Sequence, residues 1–366
     1  MKVLHQIVSL FFLFLNFNFQ AQTFIVSSPE SVGFSKKFFT KFKNEIQKEV
    51  PSLASFIVYK NDVLIFEEYF NKTDKNTLFQ VKSVTKSVVS ALFGIANDKK
   101  LLPKLNTPVE LIFPEYARDL TINPTIWYRD FLLKNDSLRA FLTIEDLLTM
   151  QAGFLWDDNN PIVHRAFQNS SDPIRYIFEL PFETKPGTSF KYNTGASHLL
   201  GAVISKSVSC DLKQFADSFL FKPLEIQSTV WTSDPMGRTS GGAELSLTAR
   251  NMLQFGCLFL NQGTFNGKQI ISKEWIENAT KEQVVLDEWD VLPNANGYGY
   301  YWWRRKSCGH QVFVASGYGG QLICIIPDLK MVITTTCLIN EKNRGRSEIK
   351  RLHFLIDRVV KESLKN

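Results

Sequence analysis

Strand-forming runs gather at the two ends of the chain, and helical periodicity fills the middle. Near the N-terminus, "SLASFIVYKNDVLIFEEYF" is two β-rich runs meeting at Asn61-Asp62, the pattern of a hairpin. Near the C-terminus, "YGYYWWRR", "HQVFVAS", "GQLICIIP" and "KMVITTTCL" are short, aromatic and β-branched, with turn residues between them. From Ser83 to about residue 285 helices and loops prevail, including "LTIEDLLTM" with Thr143 as its cap, "ASHLLGAVISK" and "LTARNMLQFGCLFLNQG". Helices at about 35–50 and 346–365 flank this pattern. Strands at both ends with helices between point to one sheet built from the two termini, residues about 24–75 and 290–366, with a mainly helical region of about 83–285 inserted. The expected class is α+β, a helix-flanked sandwich. With 44% hydrophobic residues and 31 phenylalanines, its core can be large.

Residues 1–21 read as a signal peptide: Lys2, an apolar stretch from Ile7 to Leu15, then a polar segment ending near Ala21. The expected mature chain is therefore residues 22–366, one domain, secreted or periplasmic. No later apolar run has spanning length, so no stable membrane span is expected after cleavage. The 42 basic residues against 36 acidic are dispersed, which argues against a nucleic-acid partner. Five cysteines lack paired spacing, and their odd number leaves at least one free. Cys257, Cys324 and Cys337 sit in apolar stretches as small hydrophobes, whereas Cys308 is open to a bridge.

The chemistry concentrates in "FQVKSVTKSVVSALFG", residues 79–94. On a helix, Ser83, Lys86, Ser87, Ser90 and Gly94 form one narrow stripe and the remainder is almost wholly apolar. A lysine so placed either snorkels out from the first turn or loses hydration. In the second case its pKa falls and it becomes a base for the serine one turn earlier. The helix N-terminus adds backbone N–H groups beside Ser83 that can steady an oxyanion. A second Ser-x-x-Lys, Ser347 to Lys350, lies on a charged helix and reads as a solvated face. Other hydrolase patterns are missing: there is no G-x-S-x-G elbow. His164, His198, His310 and His353 have no metal-ligand spacing, and His198, beside Leu199 and Leu200, reads as a packing or capping histidine. No metal or cofactor is implied.

"SVTK", then "YNT" at Tyr192 to Thr194, then "ASGYGGQ" at Ala315 to Gln321, in that order, resemble the serine β-lactamase and penicillin-recognising superfamily. The likeness is to its class C-like branch of esterases and 6-aminohexanoate-dimer hydrolases. It runs from about Val26 to Leu338. The resemblance implies an antiparallel sheet of the β-lactamase/transpeptidase kind and Ser83 as acylated nucleophile with Lys86 as its partner. Tyr192 would be a second base, its phenol made acidic by the lysine. The backbone N–H groups of Ser83 and Tyr318 would form the oxyanion hole. Thr194, Ser316 and Gly317 would meet substrate, and "FLWDD" would bring Trp156 and an acid to the pocket rim. Two departures bear on substrate: Thr194 stands where the family has the asparagine of Tyr-x-Asn, and Ala315-Ser316-Gly317 replaces Lys-Thr-Gly. Losing that lysine removes charge for a substrate carboxylate. The expectation is thus an exported serine hydrolase of a small-molecule ester, linear amide or peptide. A β-lactamase or D-amino-acid peptidase is the alternative, and a non-catalytic envelope sensor the alternative of another class.

Overall fold

The computed structural model describes residues 24–116, 137–286, 292–339 and 346–365. The expected signal peptide lies outside them. Leu53–Lys60 (β1) and Val63–Tyr69 (β2) form the hairpin, and Asn61 and Asp62 both take left-handed φ values of 49° and 65°. Two such residues make the tight turn whose twist matches that of the strands. Leu78–Gln80 (β3), Val230–Trp231 (β4) and Leu245–Thr248 (β5) make a small three-stranded sheet in the order β3-β5-β4. Thr264–Phe265 (β6) pairs with Lys268–Gln269 (β7). Ala295–Tyr298 (β8), Trp303–Ser307 (β9), His310–Gly317 (β10), Gln321–Ile326 (β11) and Met331–Cys337 (β12) complete the main sheet, seven strands in the order β2-β1-β12-β11-β10-β9-β8.

Every pairing in the main sheet is antiparallel, and the β1–β12 seam joins the two ends of the chain. Ser55 and Thr336 share a side-chain hydrogen bond of 2.6 Å across that seam. All eight residues of β1 and all seven of β12 are buried, so both faces of the sheet are covered. On one face lie the terminal helices, Lys36–Glu49 and Arg346–Glu362, with Phe39 stacked on Phe66 and Phe42 edge-on to Phe56. On the other lies the Ala249–Leu260 helix, whose Gly256 presses on Val332 and Ile323. The sheet is an α+β sandwich core of the expected class.

Two local expectations change. "YGYYWWRR" is not one strand: Gly299–Trp302 separates β8 from β9, with Tyr301 at φ 63°. The Tyr301 carbonyl accepts the Ser87 hydroxyl at 2.7 Å, so packing against the helix that carries Lys86 overrides strand propensity there. The middle region also holds strands in addition to helices: β4 and β5 of the small sheet and the β6–β7 pair. All five cysteines are free, with Cys257, Cys324 and Cys337 buried and Cys308 exposed. Thr143 caps the Ile144–Leu148 helix through a capping box with Asp146. Among the described residues no helix is long and apolar enough to cross a membrane.

Candidate active site

The Val84–Asp98 helix runs through the interior, and each residue from Val84 to Ala96 is buried. Ser83 is its N-cap, at φ −70° and ψ −5°, but its hydroxyl makes no capping bond. Lys82 before it is left-handed (φ 53°), a conformation that costs a non-glycine residue roughly 1–2 kcal/mol. The strained turn leaves the Ser83 hydroxyl to neighbouring side chains rather than to its own helix.

Lys86 is only 1% exposed, so it does not snorkel. Its Nζ donates to Ser83 Oγ at 3.0 Å, Thr194 Oγ1 at 3.1 Å and the Gly242 carbonyl at 2.7 Å. Burial pushes its pKa down to about 8, against the opposing pull of the Asp158 carboxylate. At neutral pH roughly a tenth of such an amine is free base, against less than a thousandth for an ordinary lysine.

Tyr192 lies over the same group, with Lys86 Nζ 5.0 Å from its ring centroid, and Trp303 stacks on it at 5.6 Å. Here the structure differs from the sequence reading of an acidified phenol. Burial raises the Tyr192 hydroxyl well above its ordinary value, Asp158 adds to this, and a hydrogen bond with Ser83 offsets only part of it. In the resting site Tyr192 is a neutral phenol, and Lys86 is the easier group to find unprotonated.

Asn193 between Tyr192 and Thr194 is structural. Its side chain accepts the Ala196 N–H at 2.8 Å and caps the Thr194–Val208 helix. Thr194 thereby turns its hydroxyl to Lys86, while its N–H donates to Asp158 Oδ2 at 3.0 Å. Asp158 also pairs with His164 at 3.0 Å. Burial alone would raise this carboxyl, but bonds from His164 and Thr194 and the charge of Lys86 hold it below its usual range. The same pair raises His164. Sequence reasoning brought Asp158 only to the rim and passed over His164 and Gly242. "FLWDD" pointed toward Asp158, but a backbone carbonyl such as that of Gly242 has no side-chain signature.

Ser83, Tyr192, Thr194, Trp156, Ser316, Gly317 and Tyr318 line one cleft of about 670 Å³, with Lys86 behind Ser83. Trp156 is buried in its wall and Tyr318 is exposed. Strand β10 brings Ser316 to Tyr318 to the nucleophile because position 317 has no side chain: a Cβ there would sit 2.2 Å from the Val81 carbonyl oxygen. Gly317→Ala should therefore push β10 away from the turn before Ser83. The expected outcome is a loss of about 1–3 kcal/mol in denaturant midpoint experiments and at least about a tenfold drop in kcat/KM.

The Beta-lactamase family model matches residues 40–358, and the chain belongs to the beta-lactamase family. A Salmonella enteritidis protein named "Putative D-alanyl-D-alanine carboxypeptidase" is 22% identical over 303 residues, covering 75% of this chain and 68% of that protein. Among solved structures, "Putative 6-aminohexanoate-dimer hydrolase" from Bacillus anthracis superposes with a TM-score of 0.73 at 20% identity, over 94% of this chain and 88% of that one. "EstCE1, a hydrolase with promiscuous acyltransferase activity" gives 0.71 at 15% identity, over 90% and 99%. Both structures share the fold with this chain.

Proposed function

We propose that the protein is a serine hydrolase that cleaves neutral esters or linear amides through an acyl-Ser83 intermediate. The observation that carries this reading is the buried Lys86 amine 3.0 Å from the Ser83 hydroxyl. Neutral Lys86 accepts the Ser83 proton as Oγ attacks the substrate carbonyl carbon. The oxyanion that forms is met by the N–H groups of Ser83 and Tyr318. The proton on Lys86 passes to the leaving oxygen or nitrogen through the Tyr192 hydroxyl, which gives up its own proton and regains one. The C–O or C–N bond then breaks, and water attacks the acyl-enzyme with the same groups in reverse.

The cleft supports a substrate without a carboxylate handle. Ala315 supplies no charge, Lys191 is paired with Glu183, and Lys82, which donates to the neutral Gln80 amide, shares the cleft lining with Asp157, Asp158 and Glu244. Trp156, Phe167, Phe190, Tyr192, Trp303 and Tyr318 offer aromatic walls instead. An exported, single-domain enzyme of residues 22–366 follows if the first 21 residues are removed. The carboxypeptidase name of the curated relative favours D-amino-acid peptides as the second reading.

A panel of p-nitrophenyl esters, linear amides, D-Ala-D-Ala peptides and nitrocefin separates these readings. The expected result is the highest kcat/KM on an ester or linear amide. Preferential turnover of nitrocefin or a D-Ala-D-Ala peptide would overturn the substrate assignment. An acyl adduct that never releases product would overturn hydrolysis itself in favour of a sensor.

A further inference from the structure

We propose that His198 is a positioning residue: with Asp234 it fixes the loop whose Gly242 carbonyl receives Lys86, and so holds the amine against Ser83. The proposal rests on Lys86 being the base. The Gly242 carbonyl is the closest of the three Lys86 acceptors, and it arrives on a loop that lies directly on the first turn of the Thr194–Val208 helix. A Cβ at Gly242 would stand 2.7 Å from both Cγ2 and the carbonyl oxygen of Thr194, and one at Gly241 would stand 2.5 Å from the Ser197 carbonyl oxygen. The loop fits there only as two glycines, and glycines have the most backbone freedom to lose. Just before them the Ser240 N–H donates to the Thr232 carbonyl at 3.0 Å, and at Gly241 the hold comes from a side chain.

His198 does this from the helix. The Gly241 N–H donates to His198 Nδ1 at 3.1 Å. Because Nδ1 accepts, the ring proton is on Nε2, which donates to Asp234 Oδ2 at 3.0 Å. Asp234 is itself immobilised: Oδ1 accepts the N–H groups of Met236 at 2.8 Å and Arg238 at 3.0 Å, and Oδ2 accepts Arg238 Nε at 2.7 Å. Burial would raise this carboxyl, but bonds from His198 and Arg238 bring it to about 2, so it stays ionised. Arg238 is anchored in turn on Asp172 at 2.6 Å and on the Tyr116 hydroxyl at 3.1 Å. His198 is 2% exposed and both ring nitrogens are engaged, so it has no lone pair or proton to offer a substrate. Its effect reaches the reaction through Gly241, Gly242 and Lys86.

Without this hold the carbonyl drifts, the ammonium form of Lys86 loses an acceptor, and Nζ is free to leave Ser83. The test uses the full chain, the ester it turns over best, and a fluorophosphonate whose labelling rate follows neutral Lys86. His198→Phe should lower kcat by about tenfold to a hundredfold, the worth of a hydrogen bond to a charged group, while KM stays within about twofold. The acid limb of its labelling rate should move to lower pH, since Asp158, its partner His164 and Tyr192, the other ionisable groups near Lys86, are unchanged. His198→Asn keeps an acceptor for the Gly241 N–H and should recover most of the rate. Wild-type kcat and limb in His198→Phe would overturn the proposal, as would a His198→Asn as slow as the phenylalanine variant. If His198→Phe does not fold, Gly242→Ala displaces the carbonyl with the ring intact and should show the same slowing and shift; wild-type behaviour there would also overturn it. Lys86→Met separates the two readings. If it acylates at the wild-type rate, the base assignment fails and the positioning role with it, whereas a dead Lys86→Met beside normal His198 variants overturns the positioning role alone.

Discussion

Ser83→Ala is expected to lower kcat/KM by about 10⁴-fold or more, the scale seen when a nucleophile is removed from a covalent mechanism. It is also expected to leave the fold nearly untouched. At an ordinary N-cap, replacing serine by alanine costs about 1 kcal/mol because the hydroxyl satisfies a helix N–H. At Ser83 that bond is not made: the residue is in the right-handed helical region, and its hydroxyl is engaged by Lys86 and Tyr192. The variant should therefore melt within a few degrees of wild type while a fluorophosphonate adds no mass to it. Wild type should gain one adduct. Equal labelling of Ser83→Ala would remove Ser83 as the nucleophile, and a large loss of stability would show that the hydroxyl is structural.

The contrast between that hydroxyl and an ordinary cap shows what the sequence could carry. The hairpin at Asn61-Asp62, the strands at both ends and the apolar helix with a serine and lysine one turn apart depend on local residue types and their period, so they were legible. The break at Tyr301 was not, because it depends on a bond from Ser87, 214 positions away. The direction of the Tyr192 shift was hidden for a related reason. Adjacency to a lysine suggests an acidic phenol, but burial outweighs it, and burial at a loop tyrosine is decided by partners such as Trp303. In the sequence, His198 beside Leu199 and Leu200 reads as a packing or capping histidine. Only the path of the 233–242 loop reveals that it accepts the Gly241 N–H.

Lys86→Met should lower kcat/KM by about 10³-fold or more at pH 7, comparable with removing a general base that acts as a unit with its nucleophile. Stability should move differently. Bringing Lys86 from 10.5 to about 8 reflects a burial cost of about 3 kcal/mol at pH values below both. Methionine fills similar volume without that cost, but leaves the Gly242 carbonyl without its lysine donor, a loss of about 1–3 kcal/mol. The two nearly cancel at pH 7, so the sharper observable is their pH dependence. Between about pH 8 and 10.5 the unfolded chain holds a proton on Lys86 that the folded chain has released, so wild-type stability gains with rising pH. The methionine variant has no such group. Denaturation at pH 8 and at pH 10 should therefore show the stability difference, variant minus wild type, falling as pH rises, with the groups common to both cancelling. Wild-type activity should rise through the lower end of that window as Lys86 loses its proton. A parallel offset at the two pH values, with activity flat through pH 8, would show that Lys86 titrates as an ordinary lysine. A common inflection in both would tie the destabilising burial of this amine to the reactivity of Ser83.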